Sequence, residues 1–517
     1  MADAIVKNLN FGKKAQDEVF KGIDKLTKAV GSTLGAGGKC VILEDSSGNP
    51  QITKDGVTVA NKITLLDPVE NMGATLLKEA ARQTVKEAGD GTTTATVLAH
   101  SILTSAYKDG LAKDSRQIKK GIEQAVEKVV KYLEKIAMPV KDATLEQVAT
   151  ISANNDAEIG GIIASAFKEV GKKGIVSMEI SNDENTSYEI VEGACLDNGL
   201  KNFHFVTNKE KGTCELDKPL ILLCESKIEN ARKIQSVLEY VIKNKKSLLI
   251  IAECDVSVSS MLAMNKIKGN IKVNVIDSPD YGINRKQILQ DIAAITGATV
   301  INEDLGDDMD LITVDHLGQA FKTITSENDT IIRVEEVTSE IKETIKSIEL
   351  QLEEATLPGK IIQLEKRLAL LTGKIAIVKV GANSQVELKE KSDRVEDAIC
   401  ATKAAVKEGI LPGGGIALLN AAQNITANSI GEGILLNAIK APYKIILSNA
   451  GIDDVEEPVK KGWGLNVVTG NMVNMIKSGI VDPLLVTKSA LKNAASVATT
   501  ILSTDCVINN VRTHEGN

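Results

Sequence analysis

The stretch Glu87-Ala88-Gly89-Asp90-Gly91-Thr92-Thr93-Thr94-Ala95-Thr96 lies between two long helical patterns. One predicted helix, Val69 to Ala88, ends at Gly89, and another runs from Thr94 to Tyr107. Gly91 lets the backbone turn tightly and come close to a ligand. The threonine hydroxyls and the free N–H groups of a new helix N-terminus form a natural phosphate cradle. Asp90 offers hard oxygen for a Mg²⁺ that bridges phosphate oxygens. Asp and Thr are also ordinary N-caps, so the same residues read as a capped helix start. Three consecutive poor helix formers tilt the balance toward a ligand site.

Working outward, three further clusters stand out. Gly31-Ser32-Thr33-Leu34-Gly35-Ala36-Gly37-Gly38-Lys39 ends a helix predicted over Gln16–Leu34 and leads into a strand. It is neither a Walker A loop, because Thr33 and Cys40 occupy the diagnostic places, nor a Gly-x-Gly-x-x-Gly motif. It wraps a phosphate or makes a long turn. Lys54-Asp55-Gly56 falls between predicted strands Gln51–Thr53 and Val57–Ala60, where Asp-Gly is a strong hairpin signal. Arg394-Val395-Glu396-Asp397-Ala398 leads through Ala404–Gly409 to Leu411-Pro412-Gly413-Gly414-Gly415. Asp397 on a helix is ordinarily a solvated charge. Three glycines after a proline exceed what a turn requires and suggest a backbone kept bare for a flat ligand.

The rest of the chain falls into three textures. The first 137 residues read as mostly helical, with a further helix over Ile118–Ile136 closed by Met138-Pro139. From Gly193 to Gly373, short apolar runs (Leu220–Leu223, Ser247–Ala252, Lys272–Ile276, Thr299–Ile301) alternate with the helical stretches Asn230–Lys243 and Arg285–Thr296. That alternation argues for an α/β unit with a partly parallel sheet. Val337, Ile341, Ile345, Ile348 and Leu352 then keep a helical period, broken at Leu357-Pro358-Gly359 and resumed by Ile361, Leu364, Leu368 and Leu371. This predicts an antiparallel helix pair with a tight Pro-Gly turn. From about Arg394 the chain returns to helices rich in Ala and Gly, so both ends are candidates to build one domain around an inserted one.

Composition narrows the function. A length of 517 residues suggests about three domains at roughly 150 residues each. A formal net charge of −8 excludes broad attraction to a nucleic-acid backbone as the main activity. Aromatic residues are 3% of the chain, with Trp463 the one tryptophan, which leaves little for base-stacking platforms. Seven cysteines without a Cys-x-x-Cys pair read as reduced thiols, and four histidines make a His-rich zinc site improbable. Met1–Lys14 has neither a signal core nor a transit pattern, and no run approaches eighteen apolar residues. A soluble, cytoplasmic protein with no membrane partner is expected.

Thr33–Gly38, Lys54-Asp55-Gly56, Asp90–Thr94, Thr150-Ile151-Ser152-Ala153-Asn154, Arg394–Asp397 and Ala404–Gly415 occur in the order and approximate spacing of the group I chaperonins, the GroEL type. The resemblance extends over essentially the whole chain. It implies a multidomain α+β fold: a helical equatorial domain from both chain ends (1–137 and 409–517), a small hinged intermediate domain (138–192 and 374–408), and an inserted α/β apical domain (193–373). It implies an ATPase. Thr33, Leu34, Gly35, Ala36 and Lys54, with Asp90, Gly91, Thr92, Thr93 and Thr94, would hold the phosphates. Asp90 would ligate Mg²⁺, and K⁺ would sit near Thr33, Lys54 and Thr93. Gly414, Asn466, Val467 and Val468 would lie by the nucleoside, and Asp482 near the ribose. Asp397 would orient the attacking water with Asp55 assisting, and domain closure would deliver it. The implied partners are non-native polypeptides, a small heptameric co-chaperonin, and copies of the chain in seven-membered rings, stacked as a double ring.

The chain departs from the family pattern in places. Ala36 stands where proline is usual, Val467 and Val468 where alanines are usual, and Lys374 follows Gly373 where a glycine pair is usual. None of these removes a phosphate, metal or base ligand. The apolar strip that takes polypeptides would comprise Leu200, His204, Phe205, Leu238, Ala263 and Met264. Gln235 replaces an aliphatic residue, His204 replaces an aromatic one, and serines over Ser257–Ser260 occupy the expected groove face. The chain ends at Thr513-His514-Glu515-Gly516-Asn517 without the family's Gly-Gly-Met tail. Two functions are therefore carried forward: an ATP-driven folding chamber, and a divergent chaperonin with a narrow client range or a mainly nucleotide-dependent binding or structural role.

Overall fold

The computed structural model describes residues 7–44, 48, 50–108, 115–171, 174–181, 183–209, 212–280, 282–334, 339–354, 358–452 and 456–510. The Ser46–Pro50 turn falls mostly outside these residues; Val337, Leu357 and the C-terminal Thr513–Asn517 lie outside them entirely. Two compact units divide the chain: a first built from 1–165, 178–187 and 378–517, and a second from 166–177 and 188–377.

The first unit is a helical body made by both chain ends. Its helices include Gly12–Gly31, Pro68–Ala88, Thr92–Lys108, Ser115–Ile136 and Leu484–Leu502. Helix Gly12–Gly31 buries Val19, Ile23, Leu26 and Val30 at spacings of three and four, the stripe its sequence predicts. Asp67 caps Pro68–Ala88 by accepting from the Val69 N–H (2.8 Å) and Glu70 N–H (2.9 Å), and Pro68 occupies the first turn, where its missing N–H costs nothing. Gly89 ends that helix in the left-handed conformation at φ +74°. Strand Lys7–Phe11 pairs antiparallel with Cys506–Asn510, joining the two ends of the chain directly.

One expectation is corrected here. Val57–Ala60 is helical, part of Gly56–Lys62, and only Pro50–Thr53 pairs with Val41–Glu44. The Asp55 carboxylate accepts from the Val57 N–H (3.1 Å) and the Thr58 N–H (2.8 Å), so Asp-Gly acts as an N-cap rather than a hairpin turn. The helical last third likewise contains a hairpin, Trp463–Asn466 with Asn471–Asn474, that its Ala and Gly content did not signal.

In the second unit, Leu220–Cys224, Ser247–Ile251 and Lys272–Ile276 pair in parallel, with Val300–Ile301 parallel to the first of them. All residues of Leu220–Cys224 and Ser247–Ile251 are buried, as expected for strands covered on both faces. Helices Gln235–Lys243 and Val256–Ile267 pack with Leu222, Leu248 and Ile250 into one core. Gly282–Thr296, Ser339–Glu354 and Pro358–Leu371 contribute to a second core with Ile221, Leu249 and Ile251. A second sheet runs antiparallel through Ser187–Leu196, Thr330–Arg333, Lys322–Thr325 and Cys214–Asp217, and the sequence reading did not mark these strands. The expected helix pair is present as Ser339–Glu354 and Pro358–Leu371, the second helix starting at Pro358 itself. Arg367 fixes the pair to Gly282–Thr296 by a bidentate contact with buried Asp291, Nε–Oδ2 and Nη2–Oδ1 both 2.7 Å.

Two glycines set the closest helix contact in the first unit. A β-carbon on Gly22 would lie 1.8 Å from the Glu70 carbonyl oxygen, and one on Gly73 would lie 2.2 Å from the Val19 carbonyl oxygen. Helices Gly12–Gly31 and Pro68–Ala88 therefore meet backbone to backbone, and no side-chain shift relieves an added carbon. Gly73→Val is expected to destabilise the chain by at least about 2 kcal/mol through overpacking. Thermal or urea unfolding of the full chain checks this; an unchanged midpoint would contradict the close approach.

Candidate functional site

Within the first unit, one cavity of about 990 Å³ is lined by every residue expected at a nucleotide: Thr33, Leu34, Gly35, Ala36, Lys54, Asp55, Asp90, Gly91, Thr92, Thr93, Thr94, Asp397, Gly414, Asn466, Val467, Val468 and Asp482. Its volume is that of a site for a small ligand. The chain brings these residues together from seven separated segments.

The loop after helix Gly12–Gly31 folds back on itself through the Gly38 N–H to the Gly35 carbonyl (3.0 Å) and the Lys39 N–H to the Ser32 carbonyl (2.9 Å). Gly38 is required there, since a β-carbon would stand 2.1 Å from the Thr33 carbonyl oxygen. Asn449, which the sequence reading missed, holds the loop by donating from Nδ2 to the Gly31 and Leu34 carbonyls, both at 2.9 Å. Thr33 Oγ1 donates to the Val30 carbonyl (2.8 Å) and stands 3.5 Å from Thr93 Oγ1. Lys54 donates to Asn154 Oδ1 (2.7 Å) and the Gly35 carbonyl (3.3 Å), and its burial lowers its pKa. Asn154 and Asn155 both hold left-handed backbone, at φ 60° and 64°. Asn tolerates that region better than most residues do, and such strain collects at functional sites.

Asp90 sits between two left-handed glycines and accepts from the Gly91 N–H. The Gly91 conformation starts helix Thr92–Lys108 with its threonines facing the cavity. Gly56 lets the Asp55-capped helix abut that start, because a β-carbon there would lie 2.3 Å from Thr93 Oγ1. Asp397 lies mid-way along helix Gln385–Glu408. Burial pushes its carboxyl well above the usual range, and the charges of Asp90 and Asp55 push the same way. Asp90 is raised too, chiefly by burial, with the Gly91 hydrogen bond opposing. One turn before Asp397, Asp393 reaches about 6, again mainly through burial. Arg394 is held by Glu390 (2.8 Å) and Asp156 (3.4 Å).

At the other end, Asp482 accepts from the Gly414 and Gly415 N–H groups, yet burial and the Asp90 charge raise it to about 7. The glycine triplet has a structural cause as well. A β-carbon on Gly413 would be 2.9 Å from the Val481 nitrogen, and one on Gly415 (φ +77°) 2.7 Å from the Tyr443 nitrogen. Asn466 Oδ1 accepts from the Val468 N–H (3.0 Å) and Thr469 N–H (3.3 Å), shaping the hairpin turn. Val467 packs toward Tyr443, Leu447 and Met475, whereas Val468 is 73% exposed.

The residues expected to take polypeptide all lie in the second unit. His204 and Met264 are exposed, and Leu200 and Leu238 are partly buried. Phe205 and Ala263 are buried in the core at 0% and 2% exposure and offer no surface; this corrects their expected place in an exposed strip. The exposed aromatic of that turn is Phe203, at 71%, with Val256 exposed on the adjoining helix. Nothing in the spacing of Phe203-His204-Phe205 tells which ring faces outward. Gln235 is exposed and donates to Glu239 Oε1 at 2.6 Å. Ser257 and Ser260 are exposed, but Ser259 is buried, so the serine run presents two hydroxyls rather than a full face.

The chain is similar to solved structures along nearly its whole length. The chaperonin gp146 of bacteriophage EL 2 (Pseudomonas aeruginosa), crystallised in the presence of ATP-BeFx, is 23% identical over 98% of this chain and 99% of its own, with a TM-score of 0.72 in crystal form II. Crystal form I of the same protein gives the same identity and coverage with a TM-score of 0.65. These likenesses establish a shared chaperonin fold, mixed helix and sheet, along nearly the whole chain. Among the described residues, no helix is long and apolar enough to cross a membrane. The family model of the TCP-1/cpn60 chaperonins matches residues 26–512, and the chain belongs to that family.

Proposed function

We propose that the chain is an ATP-driven chaperonin that binds non-native polypeptides and encloses them in a ring of identical subunits for folding. The observation that carries this reading is one cavity lined by a threonine-rich helix start, a folded glycine loop, Lys54 and the carboxylates of Asp55, Asp90, Asp397 and Asp482. The proposed domains are equatorial 1–137 and 409–517, intermediate 138–192 and 374–408, and apical 193–373. Seven-membered rings stacked in pairs, a small heptameric co-chaperonin and a cytoplasmic setting belong to the same reading.

The site fits MgATP better than a metal alone. No three His, Cys, Asp or Glu side chains among the described residues converge into a metal cage. Mg²⁺ commonly takes one or two carboxylates and completes its shell with phosphate oxygens and water, so Asp90 would hold it. Burial chiefly raises the Asp90 carboxyl, with the Asp55 charge adding to it, and a bound cation would favour its ionised form. Thr33 and Thr93 hydroxyls near Lys54 are the proposed surroundings of K⁺. When bound, Mg²⁺ would offset charge on the phosphates. The helix start at Thr92 and the hydroxyls of Thr92–Thr94 would hold phosphate oxygens, with Lys54 adding positive charge. The water oxygen would attack the γ-phosphorus, the bond to the β-bridging oxygen would break, and the water proton would pass to Asp397. Burial strengthens the Asp397 carboxylate as a proton acceptor, the direction that step needs.

A narrower client range is favoured by one feature: Gln235 is exposed where an aliphatic side chain would bind apolar chain, and it is turned to Glu239. Losing one or two aliphatic contacts, at about 25 cal/mol per Å², costs a client about ten- to a hundredfold in affinity.

Three tests, on four variants, check this reading. Asp397→Ala should slow ATP turnover about 100-fold or more while leaving ATP affinity within a few-fold. Asp90→Ala should instead weaken Mg²⁺-dependent ATP binding. Steady-state turnover and calorimetric binding separate the two, and unchanged turnover in Asp397→Ala would remove its assignment as base. The second test concerns pH. Because Asp482 titrates near 7 when folded, against about 3.9 unfolded, the folded state holds the extra proton between those values. Its contribution to stability is therefore present at low pH and lost as pH rises toward 7. Nucleotide-free Asp482→Asn should melt higher than wild type at pH 8, by about 2 °C or more, and gain little at pH 4; equal gains at both would contradict the shift. Third, Gln235→Leu should tighten capture of a denatured protein about tenfold without altering ATP turnover. No gain would argue against the polar groove.

A further inference from the structure

Helices Asp142–Ser152 and Ala157–Val170 are joined by a tight corner, residues 153–156. The Asn154 N–H donates to the Ile151 carbonyl (3.0 Å) and the Asn155 N–H to the Thr150 carbonyl (2.9 Å). Both asparagines take left-handed backbone to make the corner. At its far side Asp156 accepts from the Glu158 and Ile159 N–H groups, both at 3.1 Å, and from Arg394 Nη1 at 3.4 Å. The corner is thus held at both ends. Glycine would adopt the same backbone at less cost, but Asn154 carries an amide, and its Oδ1 accepts from Lys54 Nζ at 2.7 Å.

Lys54 and Asn154 both line the cavity. A lysine ammonium sits on a flexible four-carbon stem and, left to itself, spreads its charge over many positions. Here it has two acceptors among the described residues, Asn154 Oδ1 and the Gly35 carbonyl at 3.3 Å. Both are neutral, so they hold the ammonium in place without cancelling its charge. Glu390, whose charge also favours the ammonium, is itself paired with Arg394 at 2.8 Å. An ammonium has three donors, and the chain engages two of them. The third is left for an acceptor in the cavity. We infer that Asn154 is a positioning residue for nucleotide binding, its amide oxygen holding the Lys54 ammonium ready to donate to a phosphate oxygen. Asn154 is the member that fixes the other, because the corner holds its backbone whereas Lys54 reaches it along a flexible stem. The inference rests on the reading of this cavity as an ATP site and explains how its lysine is ordered before the phosphates arrive.

The test is calorimetric binding of MgATP to the full-length wild type, Asn154→Gly, Asn154→Asp, Lys54→Met and the double variant Asn154→Gly with Lys54→Met. Asn154→Gly keeps the left-handed corner and removes the amide. It should weaken MgATP binding about three- to tenfold, the cost of ordering one rotamer-rich side chain on binding. Asn154→Asp keeps an acceptor for Lys54 but sets a negative charge against the ammonium, and should weaken binding at least as much. In the Lys54→Met background there is no ammonium to place, so adding Asn154→Gly should change affinity by less than about twofold. A loosened fold would instead weaken binding by the same factor in either background. That equal factor, or wild-type affinity in Asn154→Gly or in Asn154→Asp, would overturn the role of Asn154. Wild type that binds no MgATP would overturn the ATP reading itself.

Discussion

Crowding of carboxylates around one cavity is the constraint on which the rest of the first unit depends. Asp90, Asp397 and Asp482 each have their pKa raised by burial, and each lies near enough to another carboxylate for charge to add to the shift. A fold selected for stability alone would not gather them, because burying like charges without partners is costly. Their arrangement makes sense when a cation and a polyanion occupy the space between them. The backbone is shaped to the same end. Gly89 and Gly91 hold Asp90 between two left-handed turns, and the Gly414 and Gly415 N–H groups face Asp482.

That electrostatic tension is contained by close packing around it. Gly22 and Gly73 bring two helices into backbone contact, and strands Lys7–Phe11 and Cys506–Asn510 pair the two ends of the chain. Asn449 holds the glycine loop by two carbonyls, while Arg394 is held by Glu390 and Asp156 one turn from Asp397. Positions hundreds of residues apart are thereby fixed at distances suited to one small ligand.

Much of this was legible in the sequence, for identifiable physical reasons. The helix from Pro68, the break at Gly89 and the buried parallel strands all follow from local periodicity and from residues whose backbone preferences are strong. What escaped needed tertiary context. Val57–Ala60 is β-branched enough to read as strand, but two hydrogen bonds to Asp55 make it a helix. Phe203 and Phe205 are equivalent in sequence, and only the packing of their short 3₁₀ turn buries one and exposes the other. The Gly413–Gly415 run was read as clearance for a ligand, yet Gly413 and Gly415 are also needed for the approach of Val481 and Tyr443. Asn449 lies outside any motif and becomes visible only through the partners it has.

The central claim is that these separated segments form one nucleotide site. Hydrogen exchange of the full-length protein, with and without MgATP, tests it most directly, since amide protection is read segment by segment. The account predicts that MgATP slows exchange together in the loop 33–38, the helix start 90–94, the turn 413–415 and the hairpin turn 466–470. Protection confined to one of these segments, or absent from all of them at saturating MgATP, would contradict it.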